Sequence, residues 1–367
     1  YILRKDKETM AEIIEYKCPN CDGIITFDSQ SQKMKCQYCG TELSVEAIQS
    51  YNQALTKHES QLSWQPPKGR EWDTHEQANL THYLCHSCGG EIITDKDTIA
   101  TSCPYCDNQI VIDDHIQGLL KPDLVIPFQI DKNMAKEALK KHFENKKLLP
   151  PLFKSENHLE EIKGIYAPYW LFDCKVEANI SYRAHRIRNY SDSRYNYTQT
   201  DHFMLQREGS VRFQCIPADG SSKLDDTLMD SLEPFDYQKA TDFQSAYLAG
   251  YLADKYDVSA EECTDKINQR IYTSVKQLFD NTTTSYLGTR EINKDIQFNE
   301  NQVHYALLPV WILNTSWNGE KYIFAMNGQT GKFVGNLPVD RGLYWKYFGI
   351  YFLIGMLITT LLAVLFI

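Results

Sequence analysis

Two matched sets of CxxC pairs, a long mixed run of strand-like and helical segments, and an uncharged apolar tail together predict the fold class. They point to two small four-cysteine β modules, then an α+β domain, then a C-terminal transmembrane helix. A chain of 367 residues has room for two or three domains, and 43% hydrophobic residues supply material for a core. The formal net charge of −10 argues against a protein that holds nucleic acid by electrostatics.

Residues 1–17 read as a charged leader. They lack a long apolar run, so no signal peptide is expected, and Met10 is a candidate start. The first module, 18–45, carries Cys18-Pro-Asn-Cys21 and Cys36-Gln-Tyr-Cys39. The second, 81–113, carries Cys85-His-Ser-Cys88 and Cys103-Pro-Tyr-Cys106. In both, the leading cysteines of the two pairs stand 18 residues apart, with a β-like stretch between them (residues 23–27 and 90–94). The modules therefore read as an internal duplication. Residues 46–80 are expected to hold a helix and a linker. Val45, Ile48, Ala54 and Leu55 recur at helical spacing within 44–60, Ser44 is suited to the N-cap, and Trp64-Gln65-Pro66-Pro67-Lys68-Gly69 breaks regular structure.

Residues 119–340 read as the α+β domain. Asp131 is placed to cap a helix through Met134, Ala135, Ala138, Leu139 and Phe143. A second helix is expected over 259–279 on Ile267, Ile271, Val275 and Leu278. Strands are expected over 169–187, 203–216, 304–316, 321–326 and 332–334, the last two joined as a hairpin by Asn327-Gly-Gln-Thr-Gly331. Leu124-Val-Ile-Pro-Phe128 and Leu307-Leu-Pro-Val-Trp311 echo each other and hint at a duplicated strand. The span at 345–367 contains 21 uncharged residues, 347–367. At ~1.5 Å per residue these reach ~30 Å, the thickness of a bilayer core. Tyr344, Trp345 and Tyr347 form an aromatic belt at its start, and Arg341 and Lys346 mark that side as cytoplasmic.

Eight of the 11 cysteines fall in the CxxC pairs. Two such knuckles present four thiolates in a tetrahedron, the arrangement zinc prefers, whereas a redox CxxC typically stands once in a βαβ setting. Two structural Zn2+ sites are expected: Cys18, Cys21, Cys36 and Cys39 in one, and Cys85, Cys88, Cys103 and Cys106 in the other. Four sulfurs close the sphere and leave no position for a reacting water. His82 and His86 are expected at the surface or behind the ligands. Cys174, Cys215 and Cys263 are expected to be small buried hydrophobes.

The modules are acidic. Lys33 and Lys35 face Asp22, Asp28 and Glu42 in the first, and Lys96 faces Glu91, Asp95, Asp97, Asp107 and Asp113 in the second. Nucleic acid is therefore disfavoured, and Tyr38 and Tyr105 are expected to offer protein-contact surface. No HExxH, GxSxG, Walker A or GxGxxG motif is present, and Gly328-Gln-Thr-Gly-Lys332 is too short for a phosphate loop. Asp225-Asp226 and Glu261-Glu262 read as helix-start acids. The tract 182–194, rich in arginine and tyrosine, fits contact with acidic lipid or a partner, and equally an exposed strand and loop.

The stretches Cys85-His-Ser-Cys88-Gly-Gly through Cys103-Pro-Tyr-Cys106, Lys121-Pro-Asp-Leu-Val-Ile-Pro-Phe128, Gly164-Ile-Tyr-Ala-Pro-Tyr-Trp-Leu-Phe172 and Asn327-Gly-Gln-Thr-Gly-Lys332 carry a resemblance over nearly the whole chain. The sequence resembles the bacterial TFIIB-type zinc-ribbon-containing membrane proteins, sometimes labelled replication-restart helicase-like. No helicase motif supports that label here. The resemblance implies a membrane-attached scaffold facing the cytoplasm, in the company of phage-shock-type and SPFH-type membrane-stress proteins. The expectation is thus a non-enzymatic, single-pass adaptor of the cell membrane, built as small zinc-ribbon β modules plus an α+β domain. Its rivals are a membrane-tethered nucleic-acid-binding ribbon protein and an enzyme whose site in 119–340 leaves no motif.

Overall fold

The computed structural model describes residues 16–21, 23–54, 63–65, 67, 72, 74–77, 79–112, 120–144, 146–154 and 161–365. The leader to residue 15, the helical pattern beyond Ala54, Asp22, Asp113 and most of the linker lie outside the described residues. The chain folds into two compact units, each assembled from three separated stretches. One takes Tyr1–Ser63, Cys174–Phe213 and Asn268–Glu300; the other takes Trp64–Asp173, Gln214–Ile267 and Asn301–Ile367. Residues 119–340 thus contribute to both. Three strands have residues in each: β8 (Lys163–Ser191), β9 (Asn196–Asp219) and β12 (Leu287–Trp317).

The first unit holds the first ribbon. Strands β1 (Ile25–Asp28), β2 (Lys33–Cys36) and β3 (Glu42–Leu43) form an antiparallel sheet, with Ile25 opposite Cys36 and Met34 opposite Leu43. Helix α1 (Val45–Ala54) follows, and the Ser44 hydroxyl accepts from the Ala47 N–H at 3.2 Å, the expected N-cap. Cys18, Ile25, Met34, Cys36, Ile48 and Tyr51 make a small core, joined by Ile292 of β12. The Tyr51 hydroxyl accepts from Arg183 Nη2 at 3.0 Å. In the tract 182–194, Arg186 lies over the rings of Phe203 and Tyr286 and Arg188 pairs with Asp201 at 3.1 Å. Arg186, Arg188 and Arg194 nevertheless stay exposed on the tract.

The second unit is built on a mixed sheet. Its order is β10 (Thr241–Asp242), β7 (Leu124–Val125), β12, β8, β11 (Leu252–Asp254), β5 (Glu91–Asp95), β4 (Leu80–Leu84), β6 (Val111–Ile112). Strands β13 (Glu320–Asn327) and β14 (Phe333–Gly335) are added at β12, and β9 at β8. The two echoing segments are neighbours here. β7 runs parallel to β12 with Leu124 level with Ala306 and Val125 with Leu307. The hairpin β13–β14 forms around 327–332 as its glycines foretold, Gly331 taking φ +78°.

Helix α2 (Thr74–Gln77) precedes β4. Helix α3 (Lys132–Glu144) begins where expected, with Asp131 Oδ1 accepting from the Met134 N–H at 2.8 Å. Its buried row is Ala135, Leu139 and Phe143. Met134 and Ala138 point outward, because a row at i, i+4, i+8 leaves them on the solvent side. Helix α4 (Asp226–Leu232) is capped by Asp225, which accepts from the N–H groups of Thr227 and Leu228. The second expected helix, α5, covers Thr264–Asn281 rather than starting at Ser259. There Ser259 and Glu262 close a turn ahead of it, the Ser259 N–H donating to Glu262 Oε2 at 2.7 Å. Ile267, Ile271 and Val275 are buried, and Leu278 is exposed. Helix α6 (Arg341–Leu365) is long and apolar enough to span a membrane, and none of its apolar window is buried.

Candidate metal centres

Each CxxC pair folds into the same knuckle. The first cysteine donates its N–H to the carbonyl five residues on: Cys18 to Gly23, Cys36 to Thr41, Cys85 to Gly90 and Cys103 to Asn108, at 2.7–2.9 Å. In three of them the carbonyl of that cysteine accepts from the residue four on, Gly40, Gly89 or Asp107. Those residues take φ of +74°, +68° and +61°, which a glycine reaches without cost and an aspartate with little. The sharp turn aims both sulfurs of a pair the same way.

The eight cysteines come together as two groups of four. Within each group the Sγ atoms all lie within 4.8 Å of one another. Cys18 and Cys39 are 3.6 Å apart and Cys21 and Cys36 3.5 Å; Cys85 and Cys106 are 3.5 Å apart and Cys88 and Cys103 3.6 Å. A Zn–S bond of about 2.3 Å in a tetrahedron sets sulfurs about 3.8 Å apart, so both groups fit that ion. A disulfide would need ~2.05 Å, and every cysteine is free. The Thr41 hydroxyl and N–H pull the exposed Cys39 thiol down to about 6. Burial opposes ionisation of Cys106, but the Asn108 N–H and the neighbouring thiols hold it at about 7. One thiol in each group is thus biased toward the thiolate that a metal binds.

The two centres differ in setting. The first is lined by the small core of its own ribbon, and Ile24, Phe27 and Tyr38 lie exposed around it, Tyr38 at 77%. The second is part of the main sheet. β5 pairs with β11 through Ile93–Ala253 and Ile92–Asp254, and β11 runs parallel to β8. Cys85, Cys103, Tyr83, Ile92 and Tyr105 belong to the same core as Ile165, Leu171, Leu252 and Leu308. Tyr105, expected at the surface, is 6% exposed and hydrogen-bonds Asp254, so it offers no contact surface. His86 is exposed; His82 is buried, with Nε2 3.2 Å from Glu91 Oε2, behind the knuckle rather than in it. Cys174 and Cys263 are buried and Cys215 partly so.

Behind the second centre lies a group that the sequence did not announce. Asp254 Oδ2 accepts from the Ser221 hydroxyl at 2.7 Å, and Asp219 Oδ1 accepts from the Ser221 N–H at 3.1 Å. Burial pushes Asp219 up to about 8 and Asp254 up to about 7. Burial also raises Tyr169 and Tyr305 nearby, with the charge of Asp219 adding to the first and that of Asp254 to the second. Nothing local marks these acids, because their burial comes from strands distant in sequence.

The motif residues of the opening analysis converge in the second unit's core. Phe128 stacks on Tyr251 at 4.1 Å and meets Tyr166 and Trp311 edge-on. A Cβ on Gly328 would lie 2.7 Å from the Phe128 ring and 2.9 Å from Pro309. Asn327 is fully buried. Its Oδ1 accepts from Gln329 and Thr330, and its Nδ2 donates to Leu232 at 3.0 Å. Gln329 clasps Asp236 from both sides, and Lys332 reaches the Glu233 carbonyl. The false phosphate loop is a clamp on the end of α4.

No family model and no solved structure matches the chain. It is 34% identical over 336 residues to a Bacillus subtilis (strain 168) protein named "Uncharacterized protein YdjG", a match covering 92% of this chain and 93% of that one. Sharing that much sequence along nearly the full length of both, the chain belongs to the YdjG family.

Proposed function

We propose that this chain is a membrane-anchored adaptor facing the cytoplasm, of the TFIIB-type zinc-ribbon kind, non-enzymatic and holding two structural zinc ions. It serves protein partners of the phage-shock and SPFH membrane-stress class. The observation that carries the reading is the pairing, in one chain, of two closed four-cysteine groups with a helix fit to cross a bilayer. A centre with four sulfur ligands organises a surface and leaves no coordination site for chemistry. The contact surface belongs to the first ribbon, where Ile24, Phe27 and Tyr38 are exposed together on a small module.

The test is twofold. Anisotropy titrations of the detergent-solubilised chain against single- and double-stranded DNA and RNA at low salt are expected to show no binding. Micromolar binding that weakens steeply with salt would replace the adaptor with the nucleic-acid reading. Cross-linking in the native membrane is expected to trap a membrane-stress protein that is lost from a Phe27→Asp/Tyr38→Asp variant. A trapped partner that survives that variant moves the contact off the first ribbon.

A further inference from the structure

The helix α6 leaves the second unit at a defined point. The N–H of Asp340 donates to the Leu148 carbonyl at 2.9 Å, and the Asp340 carboxylate caps α6 by accepting from Gly342 and Leu343 at 2.7 and 3.1 Å. The turn 146–154, which follows α3, is thereby fixed beside the first turn of the membrane helix. That turn is basic in a chain that is acidic overall. Lys146, Lys147 and Lys154 are exposed on it, Lys140 and Lys141 on the last turns of α3, and Arg341 and Lys346 at the head of α6. The acids among these stretches are Glu137, Glu144 and Asp340, and Asp340 is taken up by the cap. Leu152 and Val339, 47% and 52% exposed, stand with Tyr344 and Trp345 among the cations.

We propose that the turn 146–154 and the head of α6 form one leaflet-binding surface that takes the headgroups of anionic phospholipids. The argument is charge complementarity joined to continuity with the membrane span. Lysines beside a span meet the negative surface of the cytoplasmic leaflet, and exposed leucine, valine and tryptophan side chains suit the interfacial layer. The pinned Leu148–Asp340 junction holds the surface at the level where headgroups lie. The inference rests on the reading of α6 as a cytoplasm-first span. Its consequence is that the second unit is seated on the leaflet rather than hung from it.

The test uses the full chain in nanodiscs of phosphatidylcholine with and without phosphatidylglycerol. Lysine acetylation is read residue by residue by mass spectrometry. In phosphatidylglycerol, labelling of Lys146, Lys147 and Lys154 is expected to slow roughly fivefold relative to neutral discs, with recovery in high salt. Lys96, outside the surface, is expected to label equally in both. Equal rates at the three lysines in the two lipids would overturn the proposal while leaving the span intact. A chain that fails to enter discs of either kind would instead overturn the span. Protection in neutral discs by soluble glycerol phosphate, or protection there that grows with protein density, would assign the surface to a free anion or to a second protein, against the proposal.

Discussion

Lys163 Nζ, at the first residue of β8, lies 2.7 Å from Asp107 Oδ1 in the last knuckle of the second ribbon. The same ammonium donates to Ser102 Oγ at 2.6 Å and to the Cys103 carbonyl at 3.3 Å. Asn314 of β12 also donates to the Pro104 carbonyl, so that, with the β5–β11 pairing, the second four-cysteine group is tied to the central sheet through β8, β12 and β11.

Metal loss is therefore expected to act unequally at the two centres. Metal analysis of the full chain should return about two zinc, and Cys36→Ser and Cys103→Ser should each remove about one. Cys103→Ser should also bring the second unit's unfolding down and open it to protease, since the lost ligand belongs to its core. Cys36→Ser should leave that unit's melting unchanged. Equal destabilisation of the second unit by the two changes would contradict the difference in setting.

Stability is expected to fall as pH rises from about 4 to about 8. Burial raises Asp219 to about 8 and Asp254 to about 7, from an ordinary 3.8. An acid raised by folding favours the folded chain fully below its unfolded pKa, and that contribution drains away as pH rises through the folded value. The window here runs from about pH 4 to about pH 8. Asp254→Asn keeps an acceptor for Ser221 and cannot ionise, so its Tm should depend less on pH across that window. A variant with the same slope as the parent would show that Asp254 does not titrate there.

Asn327→Ala is expected to cost about 3 kcal/mol, because it strips partners from two backbone N–H groups and the Leu232 carbonyl inside the core. Denaturant titration followed by tryptophan fluorescence would measure it. A loss below about 1 kcal/mol would mean that the hairpin holds without its clamp.

The span is expected to resist carbonate extraction, with the cysteines labelled by an impermeant thiol reagent only after both chelation and permeabilisation of the cells. Labelling in intact cells after chelation alone would reverse the topology.

The two four-cysteine groups were legible in the sequence because two tight turns carrying CxxC pairs bring four sulfurs together at few spacings, and Cys18 through Cys106 obey them. The helix caps at Ser44 and Asp131 were legible for the same reason: the chemistry is local. What could not be read is non-local. The strand that absorbs the second ribbon, Leu252–Asp254, is three residues long and carries no cysteine, and Tyr105 looks like a surface residue until Asp254 is placed against it. The strand expected over 304–316 proved far longer, Leu287–Trp317, because its outer half is largely exposed and lacks the apolar pattern that identifies a strand, and the one expected over 169–187 runs Lys163–Ser191. The resemblance motifs mark packing: Phe128, Tyr166, Trp311 and Gly328 meet in one aromatic cluster.

The two ribbons share one knuckle design, yet the second has Cys85 and Cys103 in the large core with β8 and β12, whereas Cys18 and Cys36 sit in a small one that meets β12 at Ile292. That asymmetry governs how the duplication is able to diverge. A lineage that deletes the first ribbon gives up a module and its neighbouring packing while the main sheet stays whole. A lineage that deletes the second removes strands β5, β4 and β6, one whole end of the main sheet, and with them the part of its core that Cys85, Cys103 and Ile92 supply. The second copy is accordingly bound to the architecture itself, whereas the first answers for the surface that it presents.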